Sequence, residues 1–358
     1  HNIKILTLCG GAAFGPQLGS LRHGAHIIVG TPGRILKHLS KETLSLENLE
    51  TLVLDEADRM LDMGFIEEID KVLEYAPKER QTLLFSATYT NEITFISDRI
   101  QNNAISVKTV ATEVANKIDE RFYETSAYNK TQDLIKVLAH FQPENIIVFT
   151  NTKIAAKELA ENLTKNKVDA LAIHGDLEQY ERNDVLVQFS NKPCPVLIAT
   201  DVAARGLDIK ELSMVVNFDM PHTLETYTHR IGRTGRAGNE GIAITFYGEQ
   251  EIENAMEYKE VSSRTFDTIA TLKVSNSFEM KPQFVTLVIE GGKKDKLRAG
   301  DLLGALTGGS GLEGSSIGKI DIYDRQAYVA IKADEIKKAH AHLAKGKIKN
   351  KNFSTWIL

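Results

Sequence analysis

Short apolar runs alternate with amphipathic stretches along residues 1–260 of the 358-residue chain. Most of these runs have no polar positions between the apolar ones, so they predict strands buried on both faces. Stretches with a helical period separate them, for example at residues 64–75. The order predicts α/β domains with mostly parallel sheets covered by helices. The predicted strands are residues 27–29, 51–54, 82–85, 105–107, 145–149, 170–173, 196–199, 214–217 and 241–245.

The pattern changes near the carboxyl terminus. Residues 284–289, 318–322, 327–331 and 353–358 predict strands, and residues 300–306 and 334–344 predict helices. The resulting βαββαβ order is the ferredoxin-like arrangement. Polar stretches at residues 109–119 and 262–282 predict linkers. We therefore predict two parallel-sheet domains at residues 1–112 and 113–262, a linker at 263–282, and a small α+β domain at 283–358.

Charge is distributed unevenly along a chain of otherwise ordinary composition. The net charge of −5 argues at first against a nucleic-acid partner. Residues 283–358, however, hold 13 Lys and Arg against 8 Asp and Glu, whereas residues 1–282 hold 30 against 40. The basic excess therefore lies in the small domain, where it would attract phosphate groups.

Hydropathy and cysteine content limit the possible classes of protein. The chain contains no run of about 18 apolar residues, so no membrane span is predicted. Its two cysteines, Cys9 and Cys194, are far apart. They indicate neither a disulfide framework nor a zinc site, and they favour a reducing cytoplasm.

Acidic residues directly follow the predicted strand 51–54, in the segment Asp55-Glu56-Ala57-Asp58. Ligands bind α/β sheets at the carboxyl ends of their strands. One carboxylate there can hold Mg²⁺ through water, and a second can orient and deprotonate an attacking water. A polar loop after a strand is the alternative explanation of this cluster when it is considered alone.

Three further segments carry candidate chemistry. Arg233 and Arg236 are three positions apart, so on a helical turn they would share a face suited to a phosphate in its transition state. A solvated basic helix is the alternative. Gly206 follows the predicted strand 196–199 and permits close approach of the backbone to a ligand. Ser86 and Thr88 follow the strand 82–85 in the same manner.

These segments resemble, in the same order, the motifs of the DEAD-box RNA helicases of superfamily 2. The resemblance implies two RecA-like domains, with ATP in the cleft between them and RNA lying across both. No single motif is specific, but the full order across residues 10–236 is. In chain order the matching segments are Gly10-Gly11, Thr31-Pro32-Gly33-Arg34, residues 55–58, 86–88 and 148–152, Gln179 with Arg182, and residues 200–208 and 229–236.

The resemblance also implies roles for individual residues, with ATP and Mg²⁺ as cofactors. Asp55 would bind Mg²⁺ through water, Glu56 would be the general base, and Asp58 would couple the acidic motif to Ser86 and Thr88. Arg233 and Arg236 would be arginine fingers. The implied nucleotide contacts are Gly206, Asp208, His229 and Arg230. The implied RNA contacts are Gly10, Gly11, Thr31, Gly33, Arg34, Thr150, Gln179, Arg182 and Thr200.

One expected motif is missing from residues 1–358, namely the phosphate-binding loop G-x-x-x-x-G-K-[ST]. Gly318-Lys319 does not complete it, because Glu313 and Ile320 occupy two of its required positions. The glutamine motif and the Pro-Thr-Arg-Glu-Leu segment of the family are missing too. We interpret the chain as the carboxy-terminal part of a longer helicase with a truncated first domain; a natural pseudo-helicase is the alternative. In either case this polypeptide alone should bind ATP weakly.

The small domain has the element order of an RNA-recognition motif but a degraded signature. Tyr328 occupies one of the three aromatic positions, while Gln326 and Ile331 occupy the others, which predicts poor base stacking. Residues 291–308 and 346–349 resemble the carboxy-terminal domain of the DbpA family of bacterial helicases. That resemblance implies tethering to a hairpin of 23S ribosomal RNA and a role in 50S assembly. The candidate RNA contacts are Lys293, Lys296, Arg298 and Lys347.

Three functions compete at this point. The leading hypothesis is a monomeric, ATP-dependent RNA helicase that remodels structured RNA. The alternative is a non-catalytic protein that targets ribosomal RNA through its carboxy-terminal domain, and the missing phosphate-binding loop is the only feature that favours it. A DNA translocase is the third, and the literal Asp55-Glu56-Ala57-Asp58 form favours the RNA branch over it.

Overall fold

The structure is a computed structural model, and it describes residues 3–86, 88–108, 118–190, 194–204, 212–235, 240–260, 265–273, 278–308 and 312–358. The chain divides into two compact units, His1–Val110 and Ala111–Leu358. Within the described ranges, no helix is both long enough and apolar enough to cross a membrane.

The first unit holds two separate parallel pairs of strands, each flanked by helices. Leu54, Ile69, Ile96 and Ile100 form a buried cluster that joins β3 to its helices. The sheets pair β1 with β2 and β3 with β4. The elements are β1 (Ile5–Leu8), α1 (Phe14–Leu21), β2 (Ile27–Gly30), α2 (Pro32–Leu39), β3 (Thr51–Leu54), α3 (Ala57–Asp62), α4 (Ile66–Glu74), β4 (Gln81–Leu84) and α5 (Asn91–Ile100).

The predicted strand at residues 105–107 is wrong. Ile105 is 89% exposed and Val107 is 82% exposed, and neither lies in a strand. An apolar run becomes a strand only when a neighbouring strand completes its backbone hydrogen bonds. None of the described strands of this unit pairs with these residues.

A seven-stranded parallel sheet forms the first part of the second unit, in the order β11-β5-β10-β9-β6-β8-β7. All five strands predicted here are confirmed. Every residue of β6 and β8 is buried, because clusters of apolar side chains cover both faces of the sheet. The elements are β5 (Ile118–Glu124), α6 (Lys130–Phe141), β6 (Ile146–Thr150), α7 (Lys153–Lys165), β7 (Ala170–Ile173), α8 (Gln179–Ser190), β8 (Val196–Thr200), α9 (Asp201–Ala204), β9 (Met214–Asn217), α10 (Leu224–Ile231), β10 (Gly241–Tyr247), α11 (Ile252–Glu260) and β11 (Thr265–Asp267).

The strands β5 and β11, which lie at one side of this sheet, are not evident from the pattern of apolar residues. Charged residues begin β5 and conceal Phe122 and Tyr123, both of which are fully buried. The strand β11 lies in a segment predicted to be a linker, yet it pairs in parallel with β5. Met280, in the same predicted linker, packs against the domain core and pairs with Val168. Part of the predicted linker is therefore fastened to the domain.

The carboxy-terminal domain has the predicted ferredoxin-like order. Its antiparallel sheet runs β13-β14-β12-β15, and two helices cover its inner face. Leu287 and Val329 on the sheet meet Leu302 and Leu343 on the helices, and all four are buried. The elements are β12 (Phe284–Ile289), α12 (Ala299–Gly308), β13 (Ile317–Ile322), β14 (Ala327–Lys332), α13 (Ile336–Lys345) and β15 (Thr355–Ile357).

Candidate functional site

The acidic motif forms the turn between β3 and α3. Asp55 and Glu56 are both exposed at the carboxyl end of the strand. Glu56 has a left-handed backbone, with φ 51° and ψ 49°. Such a conformation is uncommon for a glutamate and is found more often at functional sites. The turn is held to the end of β4 by Ala57, whose N–H donates to the Phe85 carbonyl at 3.0 Å.

Asp58 joins this turn to the end of β4, as predicted. Its Oδ2 accepts from the Thr88 N–H at 2.9 Å and from Thr88 Oγ1 at 3.2 Å. The Asp58 N–H donates to Ser86 Oγ at 3.3 Å. Burial by itself would raise the pKa of Asp58, but hydrogen bonds from Thr88, Arg59 and Ser86 outweigh it and lower the pKa. The ionised carboxylate therefore stabilises the contact between the two segments.

Replacing Asp58 with asparagine should destabilise the first unit by about 1–3 kcal/mol, because the amide cannot accept all the bonds that the carboxylate accepts. The effect should depend on pH. Because the folded-state pKa lies below the ordinary value of 3.8, the stabilisation is complete above that value and is lost as pH falls through the folded-state pKa. Urea unfolding of both proteins between pH 7 and pH 2 measures this, and an unchanged difference across that range would contradict it.

Asp55 offers an exposed carboxylate that fits a hydrated Mg²⁺ ion. Its Oδ1 accepts from the Glu56 N–H at 3.0 Å, which fixes the side chain at the strand end. Carboxylate oxygen is a ligand that Mg²⁺ prefers, and the ion usually retains several waters. Glu56 lies beside it, with its Oε2 accepting from Arg59 Nη1 at 2.8 Å. The donor set of this turn is therefore suited to Mg²⁺ and to proton transfer.

Predicted RNA contacts meet at the ends of β1 and β2. The Gly10 N–H donates to Thr31 Oγ1 at 3.3 Å, and Arg34 Nη1 donates to the Ala12 carbonyl at 2.8 Å. Gly11 has a φ of 78°, in the left-handed region that favours glycine, and allows the loop to turn towards α2. Gly33 is exposed in the first turn of α2. The structure thus brings both motifs to one edge of the unit.

Two residues outside the predicted motifs position Arg34. Gln17 is buried, and its Oε1 accepts from Arg34 Nη1 at 2.7 Å. His38 is fully buried, and its Nε2 lies 3.1 Å from Gln17 Oε1. The imidazole ring stacks on the ring of Phe14, with 4.2 Å between the ring centroids. Burial, together with the charge of Arg34, lowers the pKa of His38, so the ring is held neutral. No spacing in the sequence indicates these contacts.

In the second unit, predicted RNA contacts lie around the ends of β6 and β8. Thr150 and Thr200 are partners in the parallel register, and both are buried. Thr150 is fully buried and its Oγ1 donates to the Thr152 carbonyl, so a direct contact from its side chain to RNA does not fit the structure. Gln179 is exposed at the start of α8, and Arg182 Nη2 donates to the Ala203 carbonyl in α9 at 3.3 Å. This hydrogen bond draws the start of α8 towards the segment that follows β8.

Arg230 lies inside the domain and joins three strand ends. Its Nε and Nη2 donate to the two carboxylate oxygens of Asp201 at 2.8 Å and 2.7 Å. Nη2 also donates to Asn151 Oδ1, and Nη1 donates to Asn217 Oδ1 and to the Asp219 carbonyl. The side chain is 2% exposed. The predicted nucleotide contact does not fit this burial, because the guanidinium nitrogens already bond within the domain.

Arg233 lies beyond the end of α10, and its predicted alignment with Arg236 stays a prediction. The helix α10 ends at Ile231, and the Arg233 N–H donates to the Arg230 carbonyl in the turn that follows. His229 lies half-buried in the last turn of α10. Gly206, Asp208 and Arg236 lie outside the described residues.

Two loops of the carboxy-terminal domain form one basic surface. Lys349 Nζ donates to the Lys296 carbonyl at 3.0 Å and to Asp301 Oδ2 at 3.2 Å, which joins the loop before α12 to the loop after α13. Leu297 and Ile348, one in each loop, are buried in the same core. The four predicted RNA contacts, Lys293, Lys296, Arg298 and Lys347, are all exposed on these loops. Lys349 was missed as the residue that joins them.

Comparison with known protein families finds three matches that follow one another along the chain. The family described as DEAD/DEAH box helicase matches residues 1–96. The helicase conserved C-terminal domain matches residues 129–238. The DbpA RNA binding domain matches residues 286–356.

Individual relatives extend the similarity over the whole chain. The ATP-dependent RNA helicase DbpA of Escherichia coli is 48% identical over 357 residues, which span 100% of this chain and 78% of that protein. The protein of the same name from Bacillus subtilis is 38% identical over 92% of this chain and 74% of its own length. Among solved structures, S. cerevisiae Dbp5 bound to RNA and ADP BeF3 has a TM-score of 0.66 and 30% identity, over 75% of this chain and 71% of that one. Both parallel-sheet domains are therefore RecA-like.

Proposed function

The chain belongs to the DEAD-box ATP-dependent RNA helicases and ends in a DbpA-type RNA-binding domain, and from this premise we propose that its target is a hairpin of 23S ribosomal RNA and that it remodels structured RNA during 50S assembly. The observation that carries the proposal is the single basic surface joined by Lys349. Phosphate contacts supply much of the affinity of a protein for RNA, and a rigid surface can match the shape of a folded RNA. Lys293, Lys296, Arg298 and Lys347 are the proposed contacts.

The motor domains would bind the RNA backbone without reading its sequence. In the first unit we propose contacts from Gly10, Gly11, Thr31, Gly33 and Arg34. In the second we propose contacts from Gln179 and Arg182, together with the exposed residues after β6. The side chain of Thr200 is buried like that of Thr150, so neither is proposed as a direct contact. Arg182 already reaches the backbone of α9, so its role includes positioning the segment after β8.

The catalytic proposal concerns the chain's own residues at the ends of β3 and β4. Asp55 would hold Mg²⁺ through water, and Glu56 would accept the proton of the attacking water at a carboxylate oxygen. Asp58 would keep Ser86 and Thr88 against this turn. Arg233 and Arg236 would stabilise the transition state, and Gly206, Asp208 and His229 would approach the nucleotide. When bound, ATP supplies the phosphoryl group whose hydrolysis drives strand separation.

Arg230 acts indirectly in this proposal. It positions Asn151, Asp201 and Asp219 at three neighbouring strand ends, so these segments are held in one arrangement.

We propose that the protein works as a monomer in a reducing cytoplasm. Its two cysteines, which are far apart in the sequence and free, are consistent with this proposal.

The 358-residue chain should bind the 23S hairpin but show little RNA-stimulated ATP hydrolysis. Specific RNA binding predicts an affinity for the hairpin at least about tenfold higher than for a scrambled hairpin of equal length, at physiological salt. Hydrolysis should remain at background, because this sequence lacks the loop whose N–H groups and lysine would hold the phosphates. Competition anisotropy and a coupled phosphate-release assay measure the two properties. Equal affinity for both hairpins would contradict the proposed target. Rapid hydrolysis would show that this chain holds ATP without the phosphate-binding loop.

A further inference from the structure

The outer face of the carboxy-terminal sheet carries one row of side chains across three strands. Tyr328 on β14 is paired with Val288 on β12, and Val288 is paired with Trp356 on β15. Side chains alternate between the faces of a strand, and the neighbours Leu287 and Val329 lie in the inner core. The row Tyr328-Val288-Trp356 therefore lies on the face that RNA-recognition motifs normally use to stack bases.

This row is buried against helix α8 of the preceding RecA-like domain. Val187 of α8, Val288 and Tyr328 form one buried cluster, and Trp356 packs against it. Val288 is fully buried and Tyr328 is only 3% exposed. A ring enclosed in this way cannot stack on a base unless the two domains separate.

A polar contact accompanies the apolar one. The Tyr328 hydroxyl donates to Asp184 Oδ1 at 2.8 Å. Asp184 lies one helical turn before Val187, so both residues point to the same side of α8. Burial and the bond to Asp184 raise the pKa of Tyr328, which keeps the hydroxyl protonated as a donor. The Tyr328 hydroxyl, which is enclosed by the interface, therefore has a hydrogen-bond partner there.

The chain that leads into the domain restricts it to the same position. The Met280 N–H donates to the Lys167 carbonyl at 3.0 Å, and the Asp169 N–H donates to the Met280 carbonyl at 2.9 Å. Lys167 also forms a salt bridge with Glu279. Only residues 281–283 separate this attachment from the start of β12. So short a tether maintains a high local concentration of the sheet beside α8.

We propose that the outer face of the carboxy-terminal sheet is a domain-docking surface whose partner is helix α8 of the same chain, and that it is not a surface for RNA bases. The basic loops then face RNA from a domain held rigidly on the motor. The same helix begins with Gln179 and Arg182, so the docked domain and the start of α8 share one rigid element. The docking itself is independent of which RNA the protein binds.

Trp356, the single tryptophan of the chain, lies at this interface and reports on it directly. Replacing Val187 with glutamate should expose the indole, seen as a red shift of its emission and a larger acrylamide quenching constant. Tyr328→Phe, which removes only the hydroxyl, should produce a smaller change of the same sign. Asn183→Glu, at an exposed position on the same helix, and Tyr323→Phe, at an exposed tyrosine, are the matched controls and should leave the emission unchanged.

Oligouridine separates the two possible partners of this face. If α8 is the partner, saturating oligouridine leaves the Trp356 emission of the unmodified protein unchanged. Quenching of Trp356 by oligouridine, with weaker oligouridine binding by Tyr328→Phe, would overturn the proposal in favour of an RNA-stacking surface. An unchanged quenching constant in both Val187→Glu and Tyr328→Phe would also overturn it, because the interface would then not hold the two domains together.

Discussion

Replacing Arg230 with alanine should lower the free energy of unfolding of the second RecA-like domain by about 3–5 kcal/mol, because the change leaves buried partners of a charged group uncompensated. Asp201 loses a bidentate partner, and the fully buried Asn217 loses the donor to its Oδ1. The guanidinium also lies 5.1 Å from the centre of the Phe149 ring, a contact that alanine removes. Urea unfolding followed by circular dichroism measures the loss.

Two matched variants make the Arg230 result specific. Arg230→Lys keeps the charge but cannot reach the same set of acceptors, so its loss should be close to that of alanine. Arg325→Ala removes an exposed arginine and should change stability by no more than about 0.5 kcal/mol. If Arg230→Ala were as mild as Arg325→Ala, Arg230 would not hold the strand ends together.

Reversing two charges on the basic surface, with Lys296→Glu and Arg298→Glu together, should weaken binding to the 23S hairpin roughly 10- to 100-fold, since each lost contact to a phosphate contributes about 0.7–1.4 kcal/mol. The slope of log affinity against log salt should fall by about two. The loop itself should persist, because Lys349 bonds to the backbone carbonyl of Lys296. Filter binding across a salt series measures both quantities.

The control for charge alone is Lys337→Glu with Lys338→Glu, an equal reversal on α13 of the same domain. Hairpin affinity should change little in that variant. Binding of an unrelated single-stranded RNA should also change little in the Lys296 and Arg298 variant, because the motor domains would supply it. A localised hairpin site would be contradicted if the Lys296 and Arg298 variant lost equal affinity for the hairpin and for the unrelated RNA. It would also be contradicted if both double variants lost equal affinity for the hairpin.

The strands of the second RecA-like domain show what local pattern can predict. β6, β8, β9 and β10 are apolar runs whose burial follows from their composition, and the edge strand β7 is also apolar although only Ile173 in it is fully buried. The strand β5 and the edge strand β11, at one side of the sheet, are different. Both begin or end among charged residues, and β11 lies in a polar segment; only pairing with a partner distant in sequence makes them strands. The sequence therefore predicted the strands from β10 to β7 and missed the two strands at the opposite side of the sheet.

The candidate site likewise has features that the sequence predicted and features that it did not. The order of the motifs predicted the family, and the acidic turn with its contact from Asp58 to Thr88 followed from that resemblance. Whether each polar side chain is buried or exposed did not follow from the motifs. Thr150 and Arg230 lie in recognisable motifs, yet both are buried, because neighbouring strand ends close over them. Gln17 and His38 belong to no motif but hold Arg34 in place.

For this protein, the sequence by itself determined the classes of domain, the motif order and the location of the basic excess, since all three are properties of neighbouring residues. The tertiary structure alone decided which strands complete the sheet. It also decided that Arg230 is buried inside the domain and that Lys349 joins two basic loops. It also decided that helix α8 covers the carboxy-terminal sheet. The physical reason is that burial and hydrogen bonding depend on which distant segments meet, and a local pattern does not contain that information.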